Sequence, residues 1–142
     1  MTVSSPDVHR VVIVGAGFGG LEAVYRLKGA KVAITLIDRR NHHLFQPLLY
    51  QVATASLATS DIAWPIRYLM HDRHDVTTLF ATVSGVDAAG RRVLIEDGTN
   101  VPYDTLVLAT GARHAYFGHD EWATWAPGLK TLEDATTIRR RI

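Results

Sequence analysis

The sequence contains no cysteine, so disulfide staples, thiolate metal sites, cysteine nucleophiles and dithiol redox relays are excluded from these 142 residues. Any redox chemistry carried out here belongs to a cofactor. Charge of one sign is missing too. Fifteen Lys and Arg against 14 Asp and Glu leave a formal +1, which creates no broad field for gathering nucleic acid or an anionic membrane. No stretch approaches the ~20 consecutive apolar residues needed to span a bilayer. The opening MTVSSPDVHR lacks the apolar centre of a secretion signal, so the segment reads as cytoplasmic. No serine occupies a G-x-S-x-G elbow, which leaves Ser-His-Asp hydrolysis without support. What remains is 47% apolar, enough to bury a core, at a length suited to one domain.

Small residues are concentrated in one place. VVIVGAGFGGLEAV, residues 11–24, puts Gly15, Gly17 and Gly20 between an apolar run and an amphipathic one. Val11 to Val14 is β-branched or apolar throughout, as in a strand buried on both faces of a parallel sheet. Leu21, Val24 and Tyr25 then recur at helical spacing, which predicts a helix from Gly17 to Lys28 stopped by Gly29. Val32 to Ile37 is a second strand and closes a βαβ unit. Asp38 follows it, 18 residues after Gly20.

A lone G-x-G-x-x-G is a weak signal. After a buried strand, before a helix, and followed by a second strand ending in an acid, it has the full dinucleotide-binding context. Gly15 permits the tight turn, Gly17 lets a pyrophosphate approach bare backbone, and Gly20 lets helix and strand pack closely. The helix start offers N–H groups and a positive dipole end to the phosphates. Asp38 is placed to accept from an adenosine ribose, and it would repel a 2′-phosphate even with Arg39 and Arg40 beside it. The motif alone fits NAD and FAD equally.

Residues 41–60 show no clean period and form too long a connection to be idle. SDIAWPIRYLM predicts a helix capped by Ser60 or Asp61, with Ile62, Ile66, Leu69 and Met70 on one face and Pro65 near its start. Three strand-like runs follow, VTTLFATVSGVD, RRVLIEDG and VPYDTLVLATG, the first two as a hairpin. Thr105 to Ala109 is apolar enough to rejoin the buried sheet. Thr131 and Asp134 form a capping box for a last helix, with Leu132, Ala135, Ile138 and Ile142 on one face. The expected fold is α/β: a Rossmann-like FAD/NAD(P)-binding domain with a parallel sheet, crossover helices and a small antiparallel β insertion.

Other residues support blander readings. His42-His43 and His71-x-x-His74 could suggest metal, but nothing converges with them, and such histidines are usually solvated; no metal is expected. Tyr116, Phe117, Trp122 and Trp125 are expected to pin a loop to the core rather than to form a stacking platform. Arg139 to Arg141 suit a helix C-terminus without any partner.

The chain resembles the type II NADH:quinone oxidoreductases, FAD-containing alternative NADH dehydrogenases within the pyridine nucleotide-disulfide oxidoreductase-like group. VVIVGAGFGGLEAV and YDTLVLATGA recur in many flavoproteins with two dinucleotide domains. HHLFQPLLYQVATA and APGLKTLEDA are far more particular. The resemblance implies that Gly15, Gly17, Phe18, Gly19 and Gly20 line the FAD pyrophosphate and that Asp38, with Arg39, meets the ribose. It implies that Val83 holds the adenine through its backbone, and that Ala109, Thr110 and Gly111 approach the pyrophosphate side. Phe45, Gln46, Pro47, Leu48 and Leu49 would lie along the flavin end. No catalytic residue is assigned.

The resemblance further implies that residues 1–115 are the first part of the FAD-binding domain. Residues 116–142 would be a connecting loop and helix toward an NADH-binding domain absent from this sequence. Also absent are a second glycine motif, a later Gly-Asp segment, quinone-pocket glutamines and a C-terminal amphipathic anchor. The intact enzyme would pass a hydride from NADH to FAD and two electrons to a quinone. It would sit peripherally on the cytoplasmic face of a membrane, with a homodimer among its open assemblies and no nucleic acid as partner. The 142 residues alone are expected to be inactive. Two alternatives stay open: a non-catalytic dinucleotide-binding module completed by a partner chain, and another FAD-dependent oxidoreductase of ferredoxin reductase-like or monooxygenase-like type. Sulfide:quinone oxidoreductases and disulfide reductases share the fold, but their chemistry needs cysteines that this segment lacks.

Overall fold

A computed structural model describes residues 8–142, so most of the opening MTVSSPDVHR lies outside the described residues. The chain divides into two compact units. One comprises the described part of Met1–His42 together with Pro65–Gly111; the other comprises His43–Trp64 and Ala112–Ile142.

The first unit is built on a four-stranded parallel sheet. Its strands are β1 (His9–Val14), β2 (Val32–Asp38), β5 (Val76–Phe80) and β9 (Thr105–Leu108), in the order β5-β2-β1-β9. Val11 to Val14 is apolar throughout because both faces of β1 are covered. Val11 and Ile13 face a cluster with Leu21 and Val24 of α1 (Phe18–Arg26) and with Ile66 of α3 (Ile66–Leu69) and Met70 just after it. Val12 and Val14 face Val93, Ile95 and Tyr103 on the other side. That second cover is a three-stranded antiparallel sheet of β6 (Val83–Asp87), β7 (Arg92–Ile95) and β8 (Asn100–Pro102). The fold is therefore α/β, with a parallel sheet, helices and a small antiparallel insertion. Helix α1 ends two residues before the expected Lys28, and Gly29, at φ +85°, turns the chain toward β2.

VTTLFATVSGVD is two strands rather than one. Val76 to Phe80 joins the parallel sheet beside β2, and the chain leaves it at Ala81 and Thr82, so that only Val83 to Asp87 forms the hairpin with β7. Neither glycine nor proline marks that exit, and the sequence pattern runs straight through it. Thr105 to Leu108 does return to the buried sheet, pairing in parallel with β1.

The helix expected across residues 61–70 is also divided. Pro65 holds an extended conformation at φ −56°, ψ 130°, and β4 (Ala63–Pro65) precedes α3. Proline cannot donate within a helix and pushes its predecessor away from helical geometry. Ile62 and Ile66 consequently fall in different clusters.

The second unit has its own core of Leu49, Val52, Ala53, Ile62 and Ala135. The stretch 41–60, expected to be irregular, contains β3 (His42–Leu44), which pairs with β4, a 3-10 turn over Gln46–Leu48, α2 (Leu49–Ala53) and the start of a second 3-10 turn over Thr59–Asp61. Leu49, Val52 and Ala53, at i, i+3 and i+4, are the apolar stripe that makes α2 helical and sets it against α4 (Leu132–Arg139). Thr131 caps α4 as expected: its hydroxyl accepts from Asp134 N at 3.1 Å, and the Asp134 carboxylate accepts from Thr131 N at 2.9 Å. Ile142 lies beyond this helix and is 87% exposed, so it does not join the apolar face assigned to it.

Arg73 fastens the entry to β5. Its guanidinium donates to both carboxylate oxygens of Asp75, at 2.8 and 2.6 Å, and to the Val24 carbonyl of α1 at 3.0 Å. The Arg73 hydrogen bonds hold the Asp75 carboxyl below the usual carboxylate range. A carboxyl depressed in the folded state contributes its stability above its unfolded value of ~3.9 and loses it as the pH falls through the folded value. Acid unfolding of the Asp75→Asn chain should therefore show a shallower loss of stability below about pH 4 than the parent. Superimposable acid limbs in denaturant titrations would show that the pair does not contribute.

Candidate functional site

The site begins at a turn that no side chain could occupy. Gly15 sits at φ +103°, and its N–H donates to the Ile37 carbonyl at 2.7 Å. A Cβ on Gly15 would collide with the Ala109 carbonyl, where β9 ends beside β1, and a Cβ on Gly20 would collide with the Gly15 carbonyl. These two glycines are therefore demanded by backbone-to-backbone contact. Gly17 differs: it is the N-cap of α1 in an extended conformation, and a Cβ there would meet nothing within 4 Å. Gly17, Phe18 and Gly19 are exposed, while Ala16 and Gly20 beside them are buried. The start of α1 carries no side-chain cap and no acidic residue in its first turn. A positive helix end, with bare backbone before it, thus faces open space at the carboxyl edge of the sheet.

Asp38 closes the far side of this turn. One carboxylate oxygen accepts from Ala16 N at 2.6 Å and the other from Arg40 N at 2.7 Å. A carboxylate has about four lone-pair positions, so two backbone donors leave acceptor capacity for further hydroxyls. The tie between Ala16 and Asp38 is absent from the sequence reading, which gave Asp38 only a ligand. A glycine turn and an acid on adjacent strands carry no explicit mark that one braces the other.

The remaining assigned residues fall into three groups. Ala109 and Thr110 lie against Gly15, and Gly111, at φ +72°, continues the exposed edge beyond them. Val83 opens β6, half-buried, with its side chain packed against the cluster of Val12 and Ile95. Arg39 is exposed. Phe45, Gln46, Pro47, Leu48 and Leu49 belong to the second unit, where Leu49 is 1% exposed and serves as core, while Gln46 and Pro47 are exposed.

A feature the sequence reading missed lies beside Asp38. Thr78 and Phe80 of β5 alternate onto the same face as Leu36 and Asp38 of β2, and Phe80 stands directly opposite Asp38 in the register. With Arg40, Asn41, Pro65 and Arg67 they enclose a cavity of about 170 Å³. The period-two pattern of β5 would have located it, had the exit from that strand been legible.

His42 and His43 are not the solvated pair the sequence suggests. They lie in β3, with His43 buried and the Nε2 of His42 buried without a hydrogen-bond partner. His71 and His74 follow α3 rather than sharing a helical face. Among the described residues, no group of three His, Asp or Glu side chains is placed to hold a metal ion. The aromatics do not pin their loop to the core as expected. Phe117 and Trp125 are about nine-tenths exposed, Trp122 stacks on His119 within the segment, and the Tyr116 hydroxyl donates to the Ala126 carbonyl.

The model of the pyridine nucleotide-disulphide oxidoreductase family matches residues 9–142. The chain belongs to that family. It is 47% identical over 99% of its length to the type II NADH:quinone oxidoreductase Ndh of Mycobacterium tuberculosis, and 50% identical over its whole length to NdhA of the same organism. It spans 31% and 32% of those two proteins. The demethylphylloquinone reductase NdbB of Synechocystis is 32% identical over 94% of the chain, which covers 35% of it. Among solved structures, the sulfide:quinone oxidoreductase of Aquifex aeolicus superposes with a TM-score of 0.85 at 25% identity, over 94% of this chain and 31% of that one. NDH2 of Plasmodium falciparum superposes at 0.82 and 24% identity, over 94% of this chain and 28% of that one, a likeness of fold. Among the described residues, no helix is long and apolar enough to cross a membrane.

Since Asp38 braces the turn as well as facing the open edge, its removal should be felt without any ligand. Asp38→Ala should lower unfolding free energy by about 1–3 kcal/mol, the cost of leaving a buried donor such as Ala16 N–H without its partner. Thermal and urea denaturation of the ligand-free chain measure this. An unchanged midpoint would leave Asp38 with a ligand role only.

Proposed function

We propose that this chain is the FAD-binding portion of a type II NADH:quinone oxidoreductase. Residues 1–115 would carry the cofactor and residues 116–142 would lead toward the part that holds NADH. The observation that carries the reading is the turn itself: Gly17 faces open space at an uncapped helix start, with Asp38 fixed beside it by two backbone hydrogen bonds.

The residues fit the group. Gly17 leaves the volume a pyrophosphate needs, the first turn of α1 supplies the positive end and no competing carboxylate, and Asp38 retains acceptor positions for ribose hydroxyls. Gly19 is exposed, and even a Cβ there would come no closer than 3.8 Å to Ala109 Cβ, so the second flank is clear. Thr110 and Gly111 extend the same edge past the turn. When bound, FAD accepts a hydride at its flavin and releases two electrons, chemistry that a chain without cysteine does not offer from its own side chains. The protein's share is to bind the pyrophosphate, orient the ribose and fix the dinucleotide across the carboxyl edge of the sheet.

Similarity to the two mycobacterial enzymes over the full chain supports NADH as hydride donor and a quinone as acceptor. Peripheral association with the cytoplasmic face of a membrane belongs to the same proposal.

Gly17→Val is the direct test, because a Cβ there has no protein atom within 4 Å and φ −75° suits a β-branched residue. The variant should keep its circular dichroism and melting temperature while losing FAD. Retention of FAD at the parent's affinity would remove the turn from the cofactor site.

A further inference from the structure

The loop that joins β7 to β8 carries the sequence's one Asp-Gly pair, Asp97-Gly98, and no Asn-Gly pair occurs. Aspartyl-glycyl linkages rearrange more readily than other peptide linkages, because the amide that follows the aspartate can attack its carboxyl and glycine puts no side chain in the way. Asn41 and Asn100 precede His42 and Val101, whose side chains obstruct the same attack. Residues 96–100 are all exposed, Gly98 sits at φ +88°, and a Cβ there would meet nothing within 4 Å. Water therefore reaches both partners of the reaction.

Hydrogen bonds occupy the reacting atoms. Gly98 N–H donates to the Ile95 carbonyl at 3.0 Å, and Ile95 N–H donates to the Thr99 carbonyl at 2.9 Å, which makes a short hairpin loop with its glycine in the left-handed position. The Asp97 carboxylate is engaged by the residue beyond that glycine: its Oδ1 accepts from Thr99 N at 2.8 Å and from Thr99 Oγ1 at 2.6 Å. The first of these is an Asx turn, in which the side chain reaches past its neighbour to the next amide. These bonds, the hydroxyl's above all, hold the Asp97 carboxyl below the usual carboxylate range, which depletes the acid form that loses water. We propose that Asp97-Gly98 is the isoaspartate-forming site of this chain and that Thr99 holds it closed. In the reaction the Gly98 nitrogen gives up its proton and bonds to Asp97 Cγ. The Cγ–OH bond breaks, one water leaves, and a succinimide remains. Water then adds back. Opening at Cγ restores aspartate, and opening at the α-carbonyl leaves the main chain running through Cγ, one carbon longer, with nothing oxidised or reduced. The longer loop disturbs the pairing of Val93 with Val101, and Val93 and Ile95 belong to the cover of β1. The inference stands apart from the cofactor reading, since no ligand takes part.

Ageing the 142-residue chain at neutral pH and physiological temperature tests this, with the parent, Thr99→Ala and Thr99→Ser each incubated folded and in urea. Isoaspartate is read by methyl transfer from S-adenosylmethionine with a protein isoaspartyl methyltransferase, and placed by mass spectrometry of the peptides. The label should fall at Asp97. It should accumulate roughly three- to tenfold faster in folded Thr99→Ala than in the folded parent, the worth of one hydrogen bond, while Thr99→Ser, which keeps the hydroxyl, stays near the parent. In urea all three should react alike and faster than the folded parent, and the aged parent should melt at a lower temperature than the fresh one. The comparison of folded with unfolded parent holds whether or not Thr99→Ala keeps its fold. Equal rates in the folded parent and folded Thr99→Ala, a parent that reacts as fast folded as in urea, or label placed at other residues would each overturn the proposal.

Discussion

Everything in the first unit is hung on one contact between two pieces of backbone. Gly20 of α1 rests on the carbonyl of Gly15 so closely that not even a methyl group could stand between them, and Gly15 in turn rests on the end of β9. The helix start is thereby held against the carboxyl ends of β1 and β9 by atoms that cannot rotate away. Side-chain packing alone leaves a helix free to slide by fractions of an ångström on an apolar surface. Main-chain contact on both sides of a φ +103° glycine does not. The positive end of α1 is in consequence aimed at a fixed point in open space.

The sheet beneath this turn keeps it rigid. Alternate residues of β1 serve two different cores, Val11 and Ile13 toward α1 and Val12 and Val14 toward the antiparallel strands. A strand buried on both faces has no soft side, and burial of each such side chain contributes roughly 1.5–3 kcal/mol. The edges are tied as well. Arg10 of β1 donates to both oxygens of Asp104 just before β9, at 2.8 and 3.0 Å, and Arg73 joins the start of β5 to α1. Polar chemistry is thereby confined to the carboxyl edge, where Asp38, Thr110 and Gly111 emerge. Ligands of open α/β sheets are bound at that edge because helix starts and strand ends converge there.

Much of this was legible in the sequence, for identifiable reasons. The glycine turn, its flanking strands, Asp38 and the return of Thr105 to the sheet follow from composition patterns that have a single physical solution. The Thr131 box was equally plain, since its two reciprocal hydrogen bonds join residues three apart on the chain. The failures lie at two breaks. Val76 to Asp87 changes sheets with no glycine or proline at the exit, and Ile62 and Ile66 have helical spacing although Pro65 sends them to different cores. In the first, tertiary packing decided what the local pattern left open; in the second, Pro65 overrode a helical spacing that looked continuous. The cavity at Phe80 was hidden by the first of these, because its residues share a face only when β5 is seen to pair with β2. Phe117 and Trp125 show the opposite error: large aromatics suggested a covered loop, and both stand in solvent.

The central claim is that the turn and Asp38 together hold the adenosine diphosphate half of a dinucleotide. Titration of the chain with ADP-ribose, followed by competition against FAD, tests it most directly, since ADP-ribose has the ribose, pyrophosphate and base but no flavin. The account predicts saturable binding of ADP-ribose that displaces FAD in proportion. FAD binding that ADP-ribose leaves untouched, or no saturable binding of either, would contradict it.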